Sequence, residues 1–130
     1  MPDQNLIILP EVQFKYLLEH ECKRAMRYQY FFSLLMIKTE NAKLESSLLR
    51  KIRMIIKHAI RDCDTLGAIH YNKLAILLCF ADKPNAIADR IFNKIQYDFP
   101  GINIKVRGAC FPLSATTAVD LLHECEDRIV

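Results

Sequence analysis

A chain of 130 residues with 52% hydrophobic content and a formal net charge of +3 can bury one ordinary core. No Pro/Gly/Ser-rich linker divides it, so one domain spanning 1-130 is expected, whether as a whole protein or as a domain of a larger one. The mild charge does not call for nucleic acid, although it leaves room for a local anion site. Five cysteines, at positions 22, 63, 79, 110 and 125, are odd in number and form no C-x-x-C pair, which fits a reducing cytoplasm. The opening residues carry no basic n-region and the run Leu6 to Leu9 is too short for a span, so a soluble chain without membrane insertion is expected.

In chain order, Phe14, Leu17, Leu18, Glu21, Cys22, Ala25 and Tyr28 recur at helical spacing after Pro10 and predict a first helix. Phe31 to Ile37 reads as a strand. Leu48, Leu49, Ile52, Ile55, Ile56, Ala59 and Ile60 predict a second, strongly basic helix, with Arg50, Lys51, Arg53, Lys57 and Arg61 on its remaining surface. Leu66 to Ile69 and Leu74 to Phe80 read as two strands, and Tyr71-Asn72 between them suits a two-residue hairpin loop because Asn tolerates positive φ. Pro84 can start a helix carrying Ile87, Ala88, Ile91, Phe92 and Ile95, which Pro100-Gly101 closes. Ile102 to Cys110 is another strand, and Ser114 is a plausible N-cap for a last helix with Val119, Leu122, Cys125 and Ile129 as its stripe. The order α-β-α-β-β-α-β-α, with a hairpin that must be antiparallel, predicts an α+β fold with helices packed on a mostly antiparallel central sheet.

The block Asp64 to Leu78 resembles the signature hairpin of the GGDEF family, the diguanylate cyclases, with His70, Tyr71, Asn72, Lys73 and Leu74 at the five signature positions. The resemblance extends to Glu21-Cys-Lys-Arg-Ala-Met-Arg-Tyr28, Ser33-Leu-Leu-Met-Ile37, Ala86-Ile-Ala-Asp-Arg-Ile91, Val106-Arg-Gly-Ala109 and Ala118 to Ile129. It implies a nucleotide-cyclase-like, ferredoxin-like palm. It also implies where cyclase chemistry would sit, and there the residues depart from the family. The metal-holding acid after the first strand is replaced by Lys38, and the hairpin acid by Lys73; Glu40 stands for the family's second acid, two residues after Lys38, and Lys43 matches the basic residue that follows it. Magnesium on a triphosphate needs hard oxygen ligands that ammonium groups cannot supply. His70 and Tyr71 replace the paired glycines that let backbone approach the nucleotide, and only Leu44 to Ser47 remain of the guanine-recognition segment. An inactive cyclase homologue is therefore expected, with no catalytic residues, metal or cofactor.

One family feature survives. Arg61-Asp62-Cys63-Asp64 has the R-x-x-D spacing of the inhibitory product site, and Arg90 falls where that site takes a further arginine. The resemblance implies that Arg61, Asp64 and Arg90 bind cyclic di-GMP, since guanidinium can fork onto N7 and O6 or phosphate and a carboxylate can accept from guanine. In the plainer reading Arg61 pairs with Asp62 or Asp64 at a solvated helix end and Arg90 is a surface arginine. Two functions remain, a cyclic di-GMP receptor or a docking module for a protein partner or homodimer that binds no nucleotide. The triplets His20-Glu-Cys22 and His123-Glu-Cys125 read as chance, and Cys63 as an inert thiol, since no second cysteine is near it in sequence. Cys79 and Cys110 fall in strand patterns and read as core.

Overall fold

The computed structural model describes residues 7–39, 46–70 and 73–127. Its elements are β1 (Ile8–Leu9), α1 (Glu11–Tyr28), β2 (Phe32–Thr39), α2 (Ser46–Ala59), β3 (Thr65–Ile69), β4 (Lys73–Leu78), α3 (Pro84–Asp98), β5 (Ile104–Phe111) and α4 (Ala118–Asp127). The strands form one sheet in the order β1-β3-β4-β2-β5. Three of its pairings are antiparallel, and β1 joins β3 in parallel. The expected α+β architecture is present, with β4 at the centre of the sheet.

Helices cover both faces. Leu34, Met36, Ala75 and Leu77 meet Phe14, Leu18 and Cys22 of α1 and Leu121 and Cys125 of α4 on one side. Leu35, Ile37, Leu74, Ile76 and Leu78 meet Ile52 and Ile56 of α2 and Ala88, Ile91 and Ile95 of α3 on the other. A strand buried on both faces needs no polar alternation, which is why Phe32 to Ile37 reads as an unbroken, largely apolar run. Gly67 lets α1 settle onto β3: a Cβ there would stand 2.7 Å from Phe14 Cβ, closer than side-chain atoms approach.

Several boundaries differ from the sequence reading. Strand β1 escapes a periodicity argument because two residues carry no period; it exists through its pairing of Ile8 with Leu66 and Leu9 with Gly67. Strand β2 runs on to Thr39, so Lys38 lies inside it rather than after it. Helix α2 begins at Ser46, ahead of its apolar stripe. Phe80 is not part of the strand: it has φ 54 and stands 67% exposed. Ser114 does not cap α4. Its hydroxyl accepts from the Cys110 amide, and Thr117 Oγ1 accepts from Asp120 N at the true start. Leu122 and Cys125 are buried as expected and Ala118 and Leu121 join them, but Val119 is exposed; Ile129 lies outside the described residues.

The hairpin differs in a way that matters below. Ile69 pairs with Lys73, which leaves three residues in the connection rather than the expected two. Every cross-strand partner is thereby displaced by one position. Residues 71–72 themselves lie outside the described residues.

Candidate functional site

Two ends of the sheet carry the candidate chemistry. At the hairpin end, Lys38 of β2 pairs with Lys73 of β4 on one side and with Lys105 of β5 on the other. Directly opposed residues project from the same face with Cβ atoms about 5 Å apart, so three ammonium groups share one row, an arrangement that needs counter-charge. Lys73, whose side chain is only 13% exposed, finds it in Glu126 of α4 at 3.2 Å. No sequence signal connects Lys73 with Glu126; the packing of α4 on the sheet brings them together. Glu40 and Lys43, with the rest of residues 40–45, lie outside the described residues, as does Tyr71.

His70 occupies the first signature position with φ 61, a conformation glycine adopts freely and a histidine adopts at a cost. Its backbone N–H donates to Glu11 Oε1 at 3.1 Å, and its ring Nδ1 lies 3.6 Å from the same oxygen. Glu11 also accepts from Lys15 Nζ at 2.7 Å. The Lys15 hydrogen bond, then the His70 amide, hold the Glu11 carboxyl below its ordinary value. A depressed carboxylate pKa means that the tether is fully present above the unfolded value of 4.5 and is lost as pH falls through the lower folded value. Amide exchange at His70 is therefore expected to accelerate as pH is lowered below that of an ordinary glutamate, once intrinsic pH dependence is divided out. Glu11→Gln should exchange faster at neutral pH and show less of this acid step.

At the other end of the hairpin, Arg61 and Asp64 meet across the short turn between α2 and β3. The Asp64 side chain is 1% exposed and that of Arg61 is 56% exposed. Asp64 Oδ2 accepts from Arg61 N at 2.8 Å and Oδ1 from Cys79 N at 2.8 Å, with Arg61 Nη2 3.5 Å from Oδ1. The Arg61 guanidinium also donates to the Cys79 carbonyl. A buried carboxylate with two backbone donors and a guanidinium is a satisfied charge that ties α2, β3 and β4 together. The fold thus brings two of the three expected ligand residues into contact, but turns Asp64 inward. Arg90 is exposed on α3 and lines a groove of about 220 Å³ with Ile55, His58, Ala59, Ile91 and Lys94. That groove meets the last turn of α2, just ahead of Arg61 in the chain. Among the described residues no hydrogen bond or ion pair joins Arg90 to Arg61 or Asp64.

The cysteines also differ from expectation. Cys110 is buried, as its strand pattern implies, but Cys79 is only partly buried. Although no second cysteine is near it in sequence, the fold lays Cys63 against Cys79: Cys79 Sγ donates to the Cys63 carbonyl at 2.6 Å.

No family model matches the chain, and no curated protein matches it. Solved structures do. A DGC protein from Thermotoga maritima superposes with a TM-score of 0.85 at 21% identity, covering 100% of both chains. The GGDEF domain of TpbB (YfiN) from Pseudomonas aeruginosa gives 0.78 at 20% identity, covering 94% of this chain and 88% of that one. The chain has the GGDEF-domain fold. The GGDEF domain of DgcB from Caulobacter crescentus, solved in complex with c-di-GMP, gives 0.75 at 8% identity, covering 96% of this chain and 82% of that one. At such identities the likeness establishes the fold of this GGDEF-like domain, and its chemistry must be argued from its own side chains. Among the described residues no helix is long and apolar enough to cross a membrane.

The row of lysines is a poor fit to the magnesium on which the resemblance to cyclases would rely. The divalent ion takes oxygen ligands, and Lys38 and Lys73 present cationic nitrogen where the resemblance places the acids. Among the described residues the one cluster of three potential metal ligands is Cys63, Asp64 and Cys79, at the far end of β4 from Lys73.

Proposed function

We propose that this GGDEF-like domain is a catalytically inactive signalling module that binds cyclic di-GMP where Arg61 and Arg90 are exposed. The observation that carries the inactive part is the opposition of Lys38 and Lys73 across β2 and β4, which replaces a cation-binding pair of acids with a cation-repelling pair of bases. The binding part rests on the spacing Arg61-x-x-Asp64 and on an exposed guanidinium held in place by a buried carboxylate. In this reading Arg61 and Arg90 make the charge-assisted contacts to guanine or phosphate. Asp64 orders Arg61, and its carboxylate reaches a guanine only if the turn opens.

Calorimetric titration with cyclic di-GMP tests the proposal. Saturable binding is expected, weakened in Arg61→Ala by about 1.5–3 kcal/mol, or roughly tenfold to more than a hundredfold in Kd, with the fold unchanged by circular dichroism. No turnover of GTP with magnesium or manganese is expected, and none after Lys38 and Lys73 are both replaced by Asp. Turnover by the unmodified domain would overturn the inactive reading.

A second reading is favoured by the burial of Asp64 and by the lack of a described contact between Arg90 and Arg61. In it the fold serves as a docking or dimerisation module that binds no nucleotide. Absence of both heat and chemical-shift changes with cyclic di-GMP would decide for it.

A further inference from the structure

Cys63 belongs to the turn before β3, and Cys79 directly follows β4. The β3–β4 register, which ends at Thr65↔Leu77, brings the end of β4 against the Arg61-to-Asp64 turn in which Cys63 lies. The Cys79 amide on Asp64 Oδ1 and the Cys79 thiol on the Cys63 carbonyl hold the two segments together there. The two Sγ atoms lie within 4.8 Å of each other.

We propose that Cys63 and Cys79 form a vicinal dithiol that closes to an intramolecular disulfide by exchange with a low-molecular-weight disulfide. The exposed Cys63 is the point of entry. Its thiolate attacks one sulfur of the small disulfide, the S–S bond breaks, and one half departs as a thiolate. Cys79, after losing its proton to solvent, attacks the Cys63 sulfur of the mixed disulfide and releases the second half. Two protein thiols are thereby oxidised and one small disulfide is reduced to two thiols. Burial, followed by hydrogen bonding to Cys63, pushes the Cys79 thiol up to about 12, which favours entry at the exposed Cys63 rather than at Cys79.

Cys22, Cys110 and Cys125 are buried, 7%, 5% and 0% exposed respectively, which keeps them out of the exchange. The same pair with Asp64 could be read as a metal site, but both Asp64 oxygens already accept backbone N–H groups and face Arg61. The bond would tie the Arg61-to-Asp64 turn to the end of β4. Its formation does not depend on whether that turn binds a nucleotide.

The test incubates the reduced, chelator-treated protein with oxidised glutathione at mildly alkaline pH, then alkylates it under denaturing conditions and measures intact mass. The wild type is expected to lose two alkylatable thiols without retaining glutathione, and its peptide map to show Cys63 joined to Cys79. Cys79→Ser should stop with one glutathione attached at Cys63, and Cys63→Ser should remain unmodified. A wild type that stays unreacted, retains glutathione, or links between chains would overturn the proposal. The peptide map of the wild type decides the matter even where a variant fails to fold.

Discussion

Phe14→Ala is expected to lower the free energy of unfolding by about 3–5 kcal/mol, the range for deleting a large buried aromatic and leaving its cavity. Phe14 is 0% exposed and belongs to the cluster that joins α1 and α4 to the sheet. Its ring lies over Gly67 of β3, which has no side chain to reach into the space that truncation leaves. Urea denaturation followed by circular dichroism measures the loss. A change below about 1 kcal/mol would mean that α1 is not seated on the sheet as described.

Asp64→Ala should cost about 3 kcal/mol, because it leaves the amides of Arg61 and Cys79 without their acceptor and removes the carboxylate that faces the Arg61 guanidinium. Asp64→Asn keeps a carbonyl oxygen for one of these donors and should cost less. Denaturant midpoints of the two variants check the order. Equal and negligible effects would mean that the carboxylate is not the fastener of α2, β3 and β4. The expectation also fixes how binding data are to be read. Loss of ligand in Asp64→Ala would follow from a loosened turn, whereas loss in Arg61→Ala, which leaves Asp64 both backbone donors, speaks for the guanidinium itself.

The helices and four longer strands were legible in the sequence because each presents a period or an unbroken apolar run with a breaker at its end, as Pro84 and Pro100-Gly101 do for α3. The GGDEF resemblance, the lysines at the acid positions and the Arg61-x-x-Asp64 spacing were equally legible, being properties of residue order. What the chain could not disclose is whatever depends on which residues face each other. Strand β1 has two residues and exists only through its partner β3. The opposition of Lys38 to Lys73, the bond from Lys73 to Glu126 and the inward turn of Asp64 follow from register and packing. The hairpin makes the point most sharply. The pairing of Ile69 with Lys73 rather than with a residue one position away sets which residue at the end of β4 meets the Asp64 turn, and it is Cys79. Local propensity allows either loop, and only the packing of the assembled sheet decides between them: a slip of one residue would exchange a strand's side chains between two helix-covered faces that have different partners, as Gly67 has in Phe14.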